Sequence, residues 1–129
     1  LPYPHRIEEA LGQLQQVFLN ILTNALGAVT DGGRISVTTW EEDAATVGVS
    51  IQDNGAGMSE ETIQRIFDPF FTTKKSGGTG LGLFITYGIV KKLGGDIKVH
   101  SKEGEGATFT VYLPKTAKQG ETAPPEERK

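Results

Sequence analysis

The sequence contains no cysteine, which excludes a disulfide framework, a thiolate zinc site and a cysteine nucleophile. No apolar run approaches the roughly 20 residues of a membrane-spanning helix. The first residues, Leu-Pro-Tyr-Pro-His, lack the charged start and apolar core of a signal peptide. We therefore expect a cytoplasmic segment without direct membrane contact, whether or not a membrane anchor lies elsewhere in a longer protein.

An excess of basic residues is also missing. Lys and Arg number 13 against 16 Asp and Glu, for a net charge of −3. With no basic stripe to neutralise phosphates, we expect no nucleic-acid partner. The 129 residues suit one domain, predicted over residues 1–114 with an N-terminal edge that is cut short. Residues 115–129 hold no large apolar side chain and are predicted to form a disordered tail.

Apolar spacing predicts a fold built from alternating helices and strands. Spacings of three and four indicate helices, and strict alternation indicates strands. The predicted helices cover residues 8–29, 59–66 and 81–93, and the predicted strands cover residues 34–40, 46–52, 96–101 and 107–113, with a polar turn at residues 41–43. This order favours a two-layer α/β sandwich, with a mostly antiparallel mixed sheet covered on one face by helices.

Two asparagines, Asn20 and Asn24, lie four residues apart within the first predicted helix and share one of its faces. Asparagine is a poor residue inside a helix because its amide competes for backbone hydrogen bonds. Their amide oxygens could coordinate a hard cation, which prefers oxygen ligands. Equally, a pair of buried amides could tie the helix to a neighbouring loop.

Glycine-rich loops follow a strand and precede a helix. In the first, Gly55 and Gly57 permit close approach to the backbone, and Asp53 can accept a hydrogen bond from an exocyclic amine. An ordinary acidic turn has the same composition. The second, residues 77–83, presents N–H groups at a helix N-terminus, where anions bind. Lys74 and Lys75 before it could neutralise an anion, although a flexible hinge with solvated lysines would look alike.

The order of these segments is more specific than any one of them. NILTNA, DNGAGM, FDPFFTTK and GGTGLGL resemble the N, G1, F and G2 boxes of sensor histidine kinases, within the superfamily that includes gyrase, MutL and the ninety-kilodalton heat-shock chaperone. The GxxxxGK[ST] motif of P-loop proteins is absent. The resemblance covers residues 11–114 and implies the Bergerat-type α/β sandwich, with ATP and Mg²⁺ as ligands.

The resemblance also implies roles for individual residues. Asn24 is expected to bind Mg²⁺, Asn20 to lie near the metal and terminal phosphates, and Asp53 to accept the adenine amine. Lys74 is expected to assist catalysis by neutralising charge. The other residues expected to contact the nucleotide are Gly55, Gly57, Phe70, Thr73, Gly78, Thr79, Gly80, Leu81, Gly82 and Thr108. Phe67, Phe70 and Phe71 are expected to pack at the root of a lid over ATP. That lid is short, as in the nitrogen-regulatory class.

The implied activity is phosphoryl transfer to a histidine on a separate dimerisation domain, with a response regulator downstream. The hydrolysing relatives carry glutamate at the position of Asn20, and an amide cannot take a proton from water. His5 follows two prolines that disfavour a helix, and His100 lies in a predicted strand. Neither resembles the acceptor motif. An anti-sigma-type serine kinase, a silent nucleotide-sensing module and a gyrase-like ATPase clamp are the alternatives.

Overall fold

The structure, a computed structural model, describes residues 2–71 and 81–115, with side chains from residue 11 onward. The elements follow the predicted order of helix, two strands, two helices and two strands. They are α1 (Pro2–Ala28), β1 (Ile35–Asp43), β2 (Thr46–Asp53), α2 (Glu60–Ile63), α3 (Gly82–Lys92), β3 (Asp96–Ser101) and β4 (Ala107–Pro114).

The strands form one sheet in the order β1-β2-β4-β3, and each neighbouring pair is antiparallel. Asp53 at the end of β2 lies between Ile35 of β1 and Ala107 of β4. Helices α1 and α3 pack against each other, α1 also contacts β2, and α3 also contacts β3. The predicted two-layer α/β sandwich is confirmed, and its described strands pair only in the antiparallel sense.

The core lies between the helices and one face of the sheet. On α1 the buried positions fall at i, i+4 and i+8, which is one stripe of a helix, and on β4 alternate residues point inward. The buried apolar residues are Val17, Ile21, Ala25, Ile51, Ile66, Val90, Ile97, Ala107, Phe109, Val111 and Leu113. This packing holds α1 in a fixed rotation about its own axis.

The opposite face of the sheet carries a row of aromatic residues. Gly48 on β2 pairs with Trp40 and with Tyr112, whose rings meet edge-on with centroids 6.3 Å apart. The indole covers Gly48 so closely that a Cβ there would overlap it. The indole Nε1 donates to Glu42 Oε1 at 2.7 Å.

Helix α1 begins at Pro2, earlier than the predicted start at residue 8. The prediction that Pro2 and Pro4 disfavour a helix before His5 was wrong. The first four N–H groups of a helix have no intrahelical partner, so proline in the first turn removes no helix hydrogen bond. In the part of the chain that the structure describes, no helix combines the length and hydrophobicity that crossing a membrane requires.

The β1–β2 hairpin is longer than predicted. Glu41 and Glu42 were predicted to form a turn, but β1 continues to Asp43 through an irregularity in the register. Polar side chains are acceptable there because β1 is an edge strand with one solvated face. Lys115, placed in the tail by its composition, donates its N–H to Ala45 O at 2.8 Å and forms an ion pair with Glu41.

Local capping agrees with the sequence at both shorter helices. Ser59 caps α2 by accepting the N–H of Thr62. At the end of α3, Gly94 takes a positive φ of 88°, and the Gly95 N–H returns to Val90 O at 2.9 Å, the pattern of a Schellman motif. Asp96 follows, and the pKa of its carboxyl is lowered, first by the hydrogen bond from the Ile97 N–H and also by Lys91.

Ile21→Ala is expected to lower the free energy of unfolding by about 2–5 kcal/mol, because it leaves a cavity at a fully buried site. Leu19→Ala, on the same helix but 61% exposed, is expected to change it by less than about 0.5 kcal/mol. Urea unfolding measures both. Equal losses in the two variants would contradict the packing described for α1.

Candidate functional site

A row of residues, polar except for Ala28, borders the core stripe of α1. Gln16, Asn20, Asn24 and Ala28 follow one another at intervals of four and therefore line one edge of the helix. With a rise of about 1.5 Å per residue, Asn20 and Ala28 are about 12 Å apart along the axis. Asn20 and Ala28 contact different parts of the chain, and Asn24 lies midway between them.

Asn20 ties α1 to the beginning of α3. Its Nδ2 donates to Gly82 O and to Thr86 Oγ1, both at 3.0 Å. Its Oδ1 accepts from Gln16 Nε2 at 2.8 Å. Thr86 is fully buried and also donates to Gly82 O at 2.9 Å. For Asn20, the structure therefore shows an amide that joins a helix to its neighbour.

Thr86 did not emerge from the sequence. It lies inside the apolar segment of α3, where a hydroxyl commonly bonds the carbonyl four residues earlier, as it does here to Gly82. A threonine within an apolar helical segment, three residues after the glycine-rich run, was the available signal. Its second bond, to Asn20, depends on tertiary packing and cannot be read from local sequence.

Asn24 differs from Asn20. It is half-buried, and its amide makes no side-chain hydrogen bond to any residue in the described ranges 2–71 and 81–115. Amides with restricted access to water usually have a hydrogen-bond partner. Because Asn24 has none in the described residues, its amide is available to a ligand. The two asparagines, which the sequence treated as a pair, therefore have distinct environments: Asn20 is engaged on both sides of its amide and Asn24 is not.

The Asp53 loop, residues 53–58, sits against the C-terminal end of α1. Asp53 is 3% exposed, and its Oδ1 accepts the Gly55 N–H at 2.8 Å. The Ala56 N–H donates to Ala28 O at 3.2 Å. A Cβ on Gly55 would overlap the Ala28 carbonyl, which explains the glycine. The loop is thus fixed one helical turn beyond Asn24.

Thr108 lies on the other face of the sheet. It pairs with Gln52 and His100, whereas Asp53 pairs with Ala107. Successive side chains of a strand point to opposite faces, and Ala107 is buried on the helix side with Asp53. The structure therefore does not bring Thr108 to Asp53. The expected contact of Thr108 with the nucleotide stays a prediction.

The three phenylalanines of the F box have different environments. Phe67 packs against the core with its ring 5.2 Å from that of Tyr87. Phe71 also contacts the core and lies beneath Arg65, 4.7 Å from its guanidinium. Phe70 is 73% exposed with a positive φ of 68°. The backbone therefore turns Phe70 outward, and its expected place at the root of the lid stays a prediction.

The glycine-rich run is only partly within the described ranges. Gly82 opens α3 and Leu81 is its N-cap residue. Asn20 Cγ lies 3.9 Å from the place that a Cβ on Gly82 would occupy. The remaining predicted residues of this segment, Thr73, Lys74, Gly78, Thr79 and Gly80, lie outside the described residues.

Any metal bound to the described residues would need ligands other than a carboxylate or histidine cluster. Among the side chains that the structure describes, those of residues 11–71 and 81–115, no three His, Asp or Glu come together in a way that could hold an ion. The unbonded Asn24 amide is one available oxygen donor on α1. Amide oxygen suits a hard cation that keeps most of its ligands from water or phosphate.

Residues 10–117 match the family described as histidine kinase-, DNA gyrase B-, and HSP90-like ATPase. The chain belongs to this family. The chain is 50% identical over 101 residues to the signal transduction histidine-protein kinase AtoS of Escherichia coli, a match covering 78% of the chain and 16% of AtoS. The chain therefore spans about a sixth of that relative. The predicted resemblance is confirmed.

Solved members of the ATPase family share the fold. The catalytic domain of the histidine kinase ThkA, in a nucleotide-free form, superposes with a TM-score of 0.72 at 37% identity, covering 83% of this chain and 69% of that one. Full-length ShkA in complex with AMPPNP gives a TM-score of 0.72 at 33% identity, covering 80% of this chain and 21% of that one. The α/β sandwich is therefore the fold of histidine kinase catalytic domains.

Thr86→Val is expected to destabilise the fold by about 1–2 kcal/mol, because it removes a buried hydroxyl that bonds Asn20 and Gly82. Thr110→Val is the matched control, since Thr110 is 8% exposed and makes no side-chain hydrogen bond within the described residues. Thermal or urea unfolding compares them. Similar losses in both variants would mean that the Thr86 hydrogen bonds contribute nothing.

Proposed function

We propose that this chain is the ATP- and Mg²⁺-binding catalytic domain of a two-component sensor histidine kinase. The observation that carries the proposal is the row on α1. Asn20 bonds the start of α3, Ala28 bonds the Asp53 loop, and the unbonded Asn24 lies between them. A span of about 12 Å suits a nucleotide with its base at one end and its terminal phosphates at the other.

The base is proposed to bind at the Asp53 loop. The Asp53 carboxylate uses one oxygen for the Gly55 N–H, and a carboxylate has acceptor sites to spare for an exocyclic amine. Its burial excludes water that would compete for that amine. The relative ShkA binds AMPPNP, which supports an adenine nucleotide here. Gly55 and Gly57 bring the loop backbone close to the base.

The phosphates are proposed to lie between Asn24 and the glycine-rich run. Asn24 would hold Mg²⁺, which neutralises charge on the phosphates. Peptide N–H groups of Gly78, Gly80 and Gly82 would face the phosphate oxygens, with Thr79 and Leu81 between them. Lys74, with Thr73 beside it, would stabilise charge on the transferring phosphoryl group. These roles follow from the order of the family boxes.

The phosphoryl acceptor is proposed to be a histidine on a separate dimerisation domain, with a response regulator downstream in the cytoplasm. Asn20 supports a protein acceptor because both sides of its amide are engaged and an amide cannot deprotonate water. His100 is exposed on the sheet face away from Asp53. A nitrogen-regulatory subclass is the finer assignment that the short lid favours.

Asn24→Ala is expected to weaken Mg-ATP binding about 10- to 100-fold, because the amide oxygen that is proposed to coordinate Mg²⁺ is lost. In excess chelator the variant and the wild type are expected to bind ATP alike, since the loss is specific to the metal. Thr23→Ala, exposed on the same helix, is the control. Calorimetry showing unchanged Mg-ATP affinity in Asn24→Ala would remove Asn24 from the metal site.

Labelled ATP is expected to leave this chain unlabelled and to label an added helical dimerisation domain of a histidine kinase in an acid-labile form. ATP hydrolysis without that domain is expected to be slow. The Asn24→Ala variant controls for contaminating kinases. Acid-labile label on His5 or His100 would contradict the proposed acceptor, and acid-stable label on serine of an added protein would favour the anti-sigma-type kinase.

A further inference from the structure

Besides α1, the turn between β3 and β4 also contacts the Asp53 loop. The turn between β3 and β4, residues 102–106, runs alongside the loop, and the Gly104 N–H donates to Ala56 O at 2.6 Å. Ala56 therefore bonds α1 through its N–H and the turn through its carbonyl. The loop is held between a helix and a turn that are remote in sequence.

Two glycines let the loop and the turn interlock. Gly57 has a φ of 72° and Gly106 a φ of 81°, conformations that residues with a Cβ rarely adopt. A Cβ on Gly57 would overlap the Lys102 carbonyl, and a Cβ on Gly106 would overlap the Asp53 carbonyl. The loop therefore places Gly57 against the backbone of the turn, and the turn places Gly106 against the backbone of the loop. The position of the turn thus determines the position of the loop.

Ser101 joins the two segments by side-chain hydrogen bonds. Its Oγ accepts the Met58 N–H at 2.8 Å and donates to Gly106 O at 2.7 Å. Ser101 pairs with Ala107, which pairs with Asp53, so its side chain lies on the same face of the sheet as the Asp53 carboxylate. One hydroxyl thus satisfies a backbone donor of the loop and a backbone acceptor of the turn.

We propose that Ser101 is a positioning residue for the base end of the nucleotide site. Ser101 does not touch the nucleotide in this proposal; it fixes the Met58 end of the loop, while the Ala28 contact fixes the middle. Without the hydroxyl, the Met58 N–H and the Gly106 carbonyl lose their bonds and the loop must be ordered when the nucleotide binds. The proposal rests on the proposed function, since it assumes that the Asp53 loop receives the base.

The experiment compares Ser101→Ala, Ser101→Cys and Ser50→Ala in the full chain. Ser50 is half-buried like Ser101, lies on the other sheet face, and makes no side-chain hydrogen bond in the part of the chain that the structure describes. Cysteine keeps nearly the size of serine and is a weak hydrogen-bond partner, so it separates bonding from volume. Circular dichroism verifies that each variant is folded before binding is measured.

Ser101→Ala is expected to raise the Kd of both Mg-ATP and Mg-ADP about tenfold, the equivalent of one hydrogen bond. The ratio of the two values should stay that of the wild type, because the effect is at the base end. Ser101→Cys should fall between Ala and the wild type, and Ser50→Ala should match the wild type. Unchanged affinity in folded Ser101→Ala, or a loss for ATP alone, would overturn the proposal.

Amide hydrogen exchange of Met58 in the nucleotide-free chain keeps the two proposals distinguishable. It is expected to speed up about tenfold in Ser101→Ala through loss of the Oγ acceptor. If the wild type fails to bind ATP, the proposed function fails while the exchange result still reports on Ser101. If Ser101→Ala does not fold, Ser101→Cys carries both measurements, and wild-type affinity and exchange in that variant overturn the positioning role.

Discussion

The rotation of α1 about its own axis is the constraint on which the rest of the site depends. Burial of Val17, Ile21 and Ala25 leaves only one orientation in which the apolar stripe is covered, and the hydrophobic effect makes other orientations costly. The row that borders this stripe is thereby placed against the start of α3 at Asn20 and against the Asp53 loop at Ala28. The hydrophobic effect is not itself directional. Because the helix is rigid, however, burying its apolar stripe also fixes the direction in which Asn20 and Asn24 point.

The remaining contacts refine that arrangement at its two ends. At one end the Asn20 amide and the Thr86 hydroxyl bond a single carbonyl, that of Gly82. At the other, Ala28 supports the loop through a backbone bond to Ala56. The Asn20 and Thr86 bonds are partly buried and each has a defined partner, so leaving one of these groups without its partner would destabilise the fold. A site arranged in this way needs no large rearrangement of α1 to receive a ligand.

The sequence predicted the elements and their order because their periodicity is local. It was wrong where a local rule has a positional exception, as at Pro2, which lies in a first turn with no bond to lose. Thr108, which is expected to contact the nucleotide, lies on the sheet face away from Asp53, because a strand inverts its side chains at every step and Ala107 takes the position beside Asp53. The bonds of Thr86 and Ser101 were beyond reach, since each joins residues more than forty positions apart, and no periodicity encodes such a pair.

The Trp40 and Tyr112 rings on the outer face of the sheet have a consequence for fluorescence measurements. Trp40 is the only tryptophan, and its ring lies over Gly48 beside Tyr112, with the full thickness of the sheet between it and the Asp53 carboxylate. The fluorescence emission of Trp40 therefore reports whether β1 is paired with β2. The indole is a built-in spectroscopic marker for the integrity of the scaffold, physically separated from the side of the molecule where ligands are proposed to bind.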